Sequence, residues 1–146
     1  MRPVASLRPL SGAAKVGIVL QLLLSLGALA GGAGLAAMPD QGGPMNLSMS
    51  WLEGTPFPDY TIPGIVLFAG NGLLPLGAIW LTIRRHPLAS FATIGVGLWS
   101  IAWLAAEVFF IHEFIPLFHG GYAVLGLAIV ACGDADRRSR RSRFRR

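Results

Sequence analysis

Glu107, His112, Glu113 and His119 bring two carboxylates and two imidazoles close together in the chain, and Asp59 and Tyr60 stand at the mouth of another apolar run. Imidazoles with carboxylates bind divalent metals or relay protons. The spacing specifies neither, because the sequence contains no His-x-x-x-His and no Glu-x-x-His. Structural hydrogen bonding is therefore the first expectation for the group Asp59, Tyr60, Glu107, His112 and His119. A polar ligand pocket is the second, and a metal or catalytic centre the third. No catalytic residue, metal or cofactor is assigned. Asn71, flanked by Gly70 and Gly72 in the middle of an apolar run, should hydrogen-bond another helix or a cavity water.

The remaining reactive side chains carry less. Cys132 is the single cysteine, so it forms no internal disulfide, zinc site or Cys-x-x-Cys pair. Met38, Met45 and Met49 have no His or Cys beside them, and apolar contact is expected there before Cu(I) binding. Asn46-Leu47-Ser48 fits a glycosylation sequon, which has no meaning in a bacterium. A bacterial, GC-rich source is suggested by the excess of arginine over lysine and the abundance of alanine and glycine.

These residues are carried by long apolar spans. Hydrophobic residues make up 53% of the chain and charged ones 13%, about half the charge of a soluble domain. The sequence predicts four spans, about 16–37, 62–83, 88–111 and 114–133, each near the roughly 20 residues that cross a bilayer as a helix. The fold class expected is an all-α membrane protein, a four-transmembrane-helix antiparallel bundle. Residues 1–14 form an N-terminal segment, 38–61 a long loop, and 134–146 a polybasic tail. With an even number of spans, all 12 Lys and Arg fall on one side. The positive-inside rule makes that side cytoplasmic, so both termini are inside and the 38–61 loop outside, in the cytoplasmic membrane. The first span also has features of a signal peptide. Its apolar run of about 22 residues exceeds the usual 7–15 of such a region, and a retained helix is the expectation.

Local signals refine the spans. Gly27-x-x-x-Gly31 places two glycines on one helix face, suited to close packing or to homodimerisation. Thr61 is the expected N-cap of the second span, with Pro63 in its first turn. Pro75 removes a donor in mid-span and predicts a kink near Asn71. At 100° per residue, Val96, Ser100, Trp103 and Glu107 share a stripe of the third span. Glu107 then lies about five residues, or roughly 7–8 Å, from the span's end. An ionised carboxylate facing lipid there costs roughly 2–3 kcal/mol, so it should face the bundle interior or an aqueous pocket, or else be protonated. A short interfacial helix is expected near Asn46–Leu52. The arginine tail is too charged to fold alone, and is expected to hold the topology and meet anionic lipid headgroups.

The run Phe57-x-Asp59-Tyr60-x-Ile62-Pro63-Gly64, with the glycine-rich middle of span two, the Arg-Arg turn with its proline, the Trp-bearing third span and Ile115-Pro116 before the fourth, resembles a family of small four-helix bacterial integral membrane proteins of unknown function. The resemblance covers roughly residues 57–127. It implies fold and topology and no activity. Such members often carry Gln where Glu107 stands, which argues against an obligatory carboxylate.

The expected partners are the lipid bilayer, anionic headgroups at the tail, and a membrane-protein partner or second copy of the chain. Nucleic acid is not expected. The function expected is a non-enzymatic binding or accessory role in the cytoplasmic membrane. The alternative is a membrane enzyme or proton-linked transporter using the Glu107 and histidine pocket.

Overall fold

A computed structural model describes residues 9–111 and 115–144. Its frame is four helices, each long and apolar enough to cross a membrane. They are α1 (Gly12–Ala37), α2 (Thr61–Ile83), α3 (Ala89–Ile111) and α4 (Pro116–Phe144). α1 starts where the Ser11 hydroxyl accepts the Ala14 N–H at 3.0 Å, an N-cap that satisfies one otherwise orphan donor. It stops before Pro39, with the Met38 N–H closing on the Gly34 carbonyl.

The bundle is polar within and apolar without. α1 buries Gln21 and Ser25 and exposes Val16, Val19, Leu23 and Leu26. The other helices bury Asn71, Thr82, Ser90, Thr93 and Ser100 while exposing Trp80, Phe91, Leu98 and Val124. In water that distribution would be unfavourable. In hydrocarbon it is expected, since lipid solvates the apolar face and the interior gains from small-residue packing and hydrogen bonds.

Two apolar clusters divide the interior. Leu24, Ala78, Val96 and Ile129 pack in the half nearer the arginines. Leu35, Leu52 and Tyr60 pack under the long loop, with Leu47, Met49 and Phe57 against them. The loop is thus folded onto the bundle. The expected interfacial helix is only one 3-10 turn, Met49–Leu52, opened by Ser48. Burying Leu52 ties that segment down before a longer helix can form.

The backbones of α1 and α2 approach closely one residue from the predicted glycine pair. A Cβ on Gly32 would stand 2.6 Å from the Phe68 nitrogen and 2.7 Å from the Gly64 carbonyl oxygen. A Cβ on Gly27 or Gly31 meets only side-chain atoms, the Tyr122 hydroxyl at 3.1 Å or Leu67 Cδ2 at 3.7 Å. Gly31 therefore borders open space, Gly27 lies against the Tyr122 hydroxyl, and Gly32 with Gly64 forms a close backbone contact between α1 and α2.

The Pro75 prediction resolves as a widened turn. Residues Leu67–Leu73 are π-helical, and the Leu74 N–H donates to the Ala69 carbonyl five residues back. A π-bulge absorbs the missing proline donor. Within it the Gly72 carbonyl accepts the Ser25 hydroxyl at 2.7 Å, a buried bond between α1 and α2.

The tail also departs from expectation. α4 continues without a break to Phe144 instead of ending near Gly133. Asp134 pairs with Arg137 at 2.9 Å and Arg138 at 2.6 Å, and Asp136 with Arg140 at 2.8 Å. These i,i+3 and i,i+4 pairs offset arginine repulsion on a helix already nucleated by the span. Asp136 also accepts the Ser11 hydroxyl at 2.6 Å and the Ser90 hydroxyl at 2.7 Å, fastening the starts of α1 and α3 to α4. Asp136→Ala strands three donors, one of them the partly exposed Arg140. We expect a loss of about 2–3 kcal/mol. The thermal midpoint in detergent should fall by about 5–10 °C, and Asp136→Asn should fall by less.

Candidate functional site

A cavity of about 310 Å³ lies among the four helices, between the two apolar clusters. α1 contributes Gly27, Ala28 and Gly31, and α2 contributes Leu67 and Asn71. Ser100, Trp103 and Glu107 come from α3, Phe118 and Tyr122 from α4, and Pro44 and Met45 from the loop. The stripe predicted for α3 is what lines it. Ser100, Trp103 and Glu107 form a polar ladder spanning roughly 10 Å along the helix, and Val96 below them belongs to the apolar cluster.

Asn71 is the residue that sets this space apart. It is 2% exposed, and neither its amide nitrogen nor its amide oxygen has a hydrogen-bond partner. The predicted bond to another helix is not made: the wide turn directs the backbone of Gly72, not the Asn71 amide, to Ser25. The indole N–H of Trp103 is buried beside the Glu107 carboxyl, without a bond of good geometry. A buried polar group left unmade costs about 1–3 kcal/mol, so the two Asn71 atoms mark a place where something else satisfies them. Glu107 forms no ion pair among the described residues.

The sequence-predicted cluster is only partly brought together. Tyr60 and Glu107 line a smaller space of about 100 Å³ beneath the loop, which shares Leu67 and Trp103 with the larger cavity. Tyr60 is 2% exposed and donates its hydroxyl to the Ser48 carbonyl at 2.8 Å. Burial pushes its phenol above the usual value, so the donor proton is retained. The N-cap position expected of Thr61 is taken by Tyr60, without a side-chain cap bond, and Asp59 one residue earlier holds the first helical N–H. Its Oδ1 accepts the Thr61 N–H at 2.8 Å, which holds its carboxyl below the usual carboxylate range. That contribution is present at neutral pH and is lost as pH falls through the depressed value.

His119 stays at the start of α4. Its Nδ1 lies 3.0 Å from the Ile115 nitrogen and 3.1 Å from the Ile115 oxygen, and it does not line the cavity. His112 lies outside the described residues. Among the described residues, no three His, Cys, Asp or Glu side chains gather as metal ligands would. Tyr122 and Phe118 are the site residues that the sequence did not single out. Their rings meet at a centroid distance of 4.7 Å, tilted by 52°. The available signal was Tyr122 lying opposite Gly27, but glycine spacing does not say which aromatic faces it.

The cavity is closed on the side of the arginines by Leu24, Ala78, Val96 and Ile129. Towards the loop, its borders on Met45, Gly27, Ala30 and Phe118 are exposed on the bundle surface. α1 and α4 meet at Gly17 with Cys132 and at Gly27 with Tyr122. The surface opening lies beyond the second of these contacts.

No family model, curated protein or solved structure matches this chain.

Proposed function

We propose that the protein is a non-enzymatic binding protein of the bacterial cytoplasmic membrane, holding a small amphipathic molecule in the 310 Å³ cavity. The observation that carries this reading is the Asn71 amide, buried against the cavity with donor and acceptor both unmade. The volume is at the lower end of ligand pockets, about 300–1,000 Å³, and twice the roughly 150 Å³ that holds benzene in an apolar cavity. Apolar walls with a few convergent polar groups suit an apolar body with one polar head.

The proposed orientation has the helices antiparallel and both termini in the cytoplasm, because all 12 Lys and Arg then lie inside. The cavity opens in the outer leaflet, and the arginine end of α4 sits against anionic headgroups. A binding role is favoured over a proton-linked transporter or enzyme for two reasons. His119 is held by its own helix start, and it does not line the cavity with Glu107.

Native mass spectrometry of protein extracted in mild detergent tests the reading. The expected result is a non-covalent adduct of small-molecule mass, absent from a cavity-filled variant. An unliganded chain that takes up no neutral aromatic alcohol would overturn it.

A further inference from the structure

The polar groups of the cavity are unequal, and their inequality points to the head group of the ligand. Glu107 lines both spaces and has no cationic partner among the described residues. A carboxylate at this depth in a bilayer is costly unless an opposite charge accompanies it. Three aromatic rings, Trp103, Phe118 and Tyr122, line the same cavity. Aromatic faces attract cations, most of all where water is excluded. The Asn71 oxygen is a further unused acceptor in the same cavity.

Each class of ligand meets these groups differently. An anionic head would lie beside Glu107 and be repelled. A neutral alcohol or amide satisfies Asn71 but gives Glu107 no counter-charge, so the carboxyl must keep its proton. An ammonium head supplies the missing counter-charge, donates N–H bonds to acceptors, and meets the ring faces. The wall toward the bilayer fits the same ligand. α1 and α4 meet at Gly17 with Cys132 and at Gly27 with Tyr122, while Ala30 and Phe118 farther along border the cavity and are exposed. A membrane-dissolved molecule can pass sideways between them.

Resting on the reading of the cavity as a ligand site, we infer that its ligand is a lipophilic amine. The ammonium pairs with Glu107, and the apolar body fills the space between α1 and α4.

The test is calorimetric titration of the full chain in lipid nanodiscs, with empty nanodiscs as blank. The probes are 2-naphthylmethylamine, 2-naphthalenemethanol and 2-naphthoate at neutral pH. The amine should bind at least about tenfold tighter than the alcohol, and the naphthoate should show no saturable binding. Glu107→Gln should bring the amine to within about threefold of the alcohol measured on the same variant. Trp103→Leu should weaken the amine more than the alcohol. If alcohol and amine bind equally to the wild-type chain, the amine inference is overturned and the cavity reading stands. If the naphthoate binds best, the inference is also overturned. If none of the three binds saturably, both fall together.

Discussion

Gly32→Leu should prevent the bundle from forming. The Cβ of any larger residue would stand 2.6 Å from the Phe68 nitrogen and 2.7 Å from the Gly64 oxygen. Both are backbone atoms, so no change of rotamer relieves the contact. Gly64 faces the same restriction, with a Cβ there 2.8 Å from the Ala36 nitrogen and 2.9 Å from the Gly32 oxygen. The only relief is to move α1 away from α2. That separation breaks the Ser25 bond to Gly72 and disturbs the wide turn that contains Phe68. The cost should exceed about 4 kcal/mol, beyond ordinary overpacking, because small-residue contact is what associates helices in lipid. The readout is monodisperse protein after detergent extraction. Gly32→Leu should yield almost none, and Gly32→Ala should be reduced but recoverable.

The neighbouring substitution should do the opposite. Gly31→Leu places a Cβ at an ordinary 3.7 Å from Leu67 Cδ2, on the wall of the cavity. The side chain enters open space and meets no backbone. Glycine-to-leucine also raises helix propensity by about 0.5–1 kcal/mol. The variant should extract as well as wild type, with a thermal midpoint unchanged or slightly higher. Its isobutyl group should exclude a ring-sized ligand. Binding of 2-naphthalenemethanol in nanodiscs should weaken by at least about 30-fold, some 2 kcal/mol. Adjacent glycines would thus separate the packing of the bundle from the use of its cavity.

Much of this architecture is legible before any coordinates. Apolar runs of bilayer length specify four helices, and their limits agree within a few residues except at the end of α4. The 100° periodicity of α3 places Ser100, Trp103 and Glu107 together, and all three line the cavity. What escapes the sequence are relations between distant segments. Gly27, Gly31, Gly32 and Gly34 look alike in a string, and only the neighbouring helix decides which of them meets a backbone. Asp136 resembles one more charge in a basic tail, yet its Ser11 partner is 125 positions away. For Asn71 the sequence leaves two partners open, another helix or a cavity water. The wide turn at Leu67–Leu73 turns the Gly72 carbonyl to Ser25 and leaves the amide at the cavity. Asp59 looked like part of a reactive cluster because topology sets it near Glu107, but its oxygen holds the first N–H of the next helix.

The central claim is that the space beside Asn71 and Trp103 takes up a ligand from the bilayer. Trp103 is the reporter built into it. With Trp51, Trp80 and Trp99 replaced by phenylalanine, its emission can be followed in nanodiscs as 3-iodobenzyl alcohol is added, the iodine quenching on contact. A bound quencher gives a saturable loss of emission, and Gly31→Leu should abolish that component. Quenching that rises linearly with the alcohol in the bilayer, and is the same in both proteins, would contradict the account.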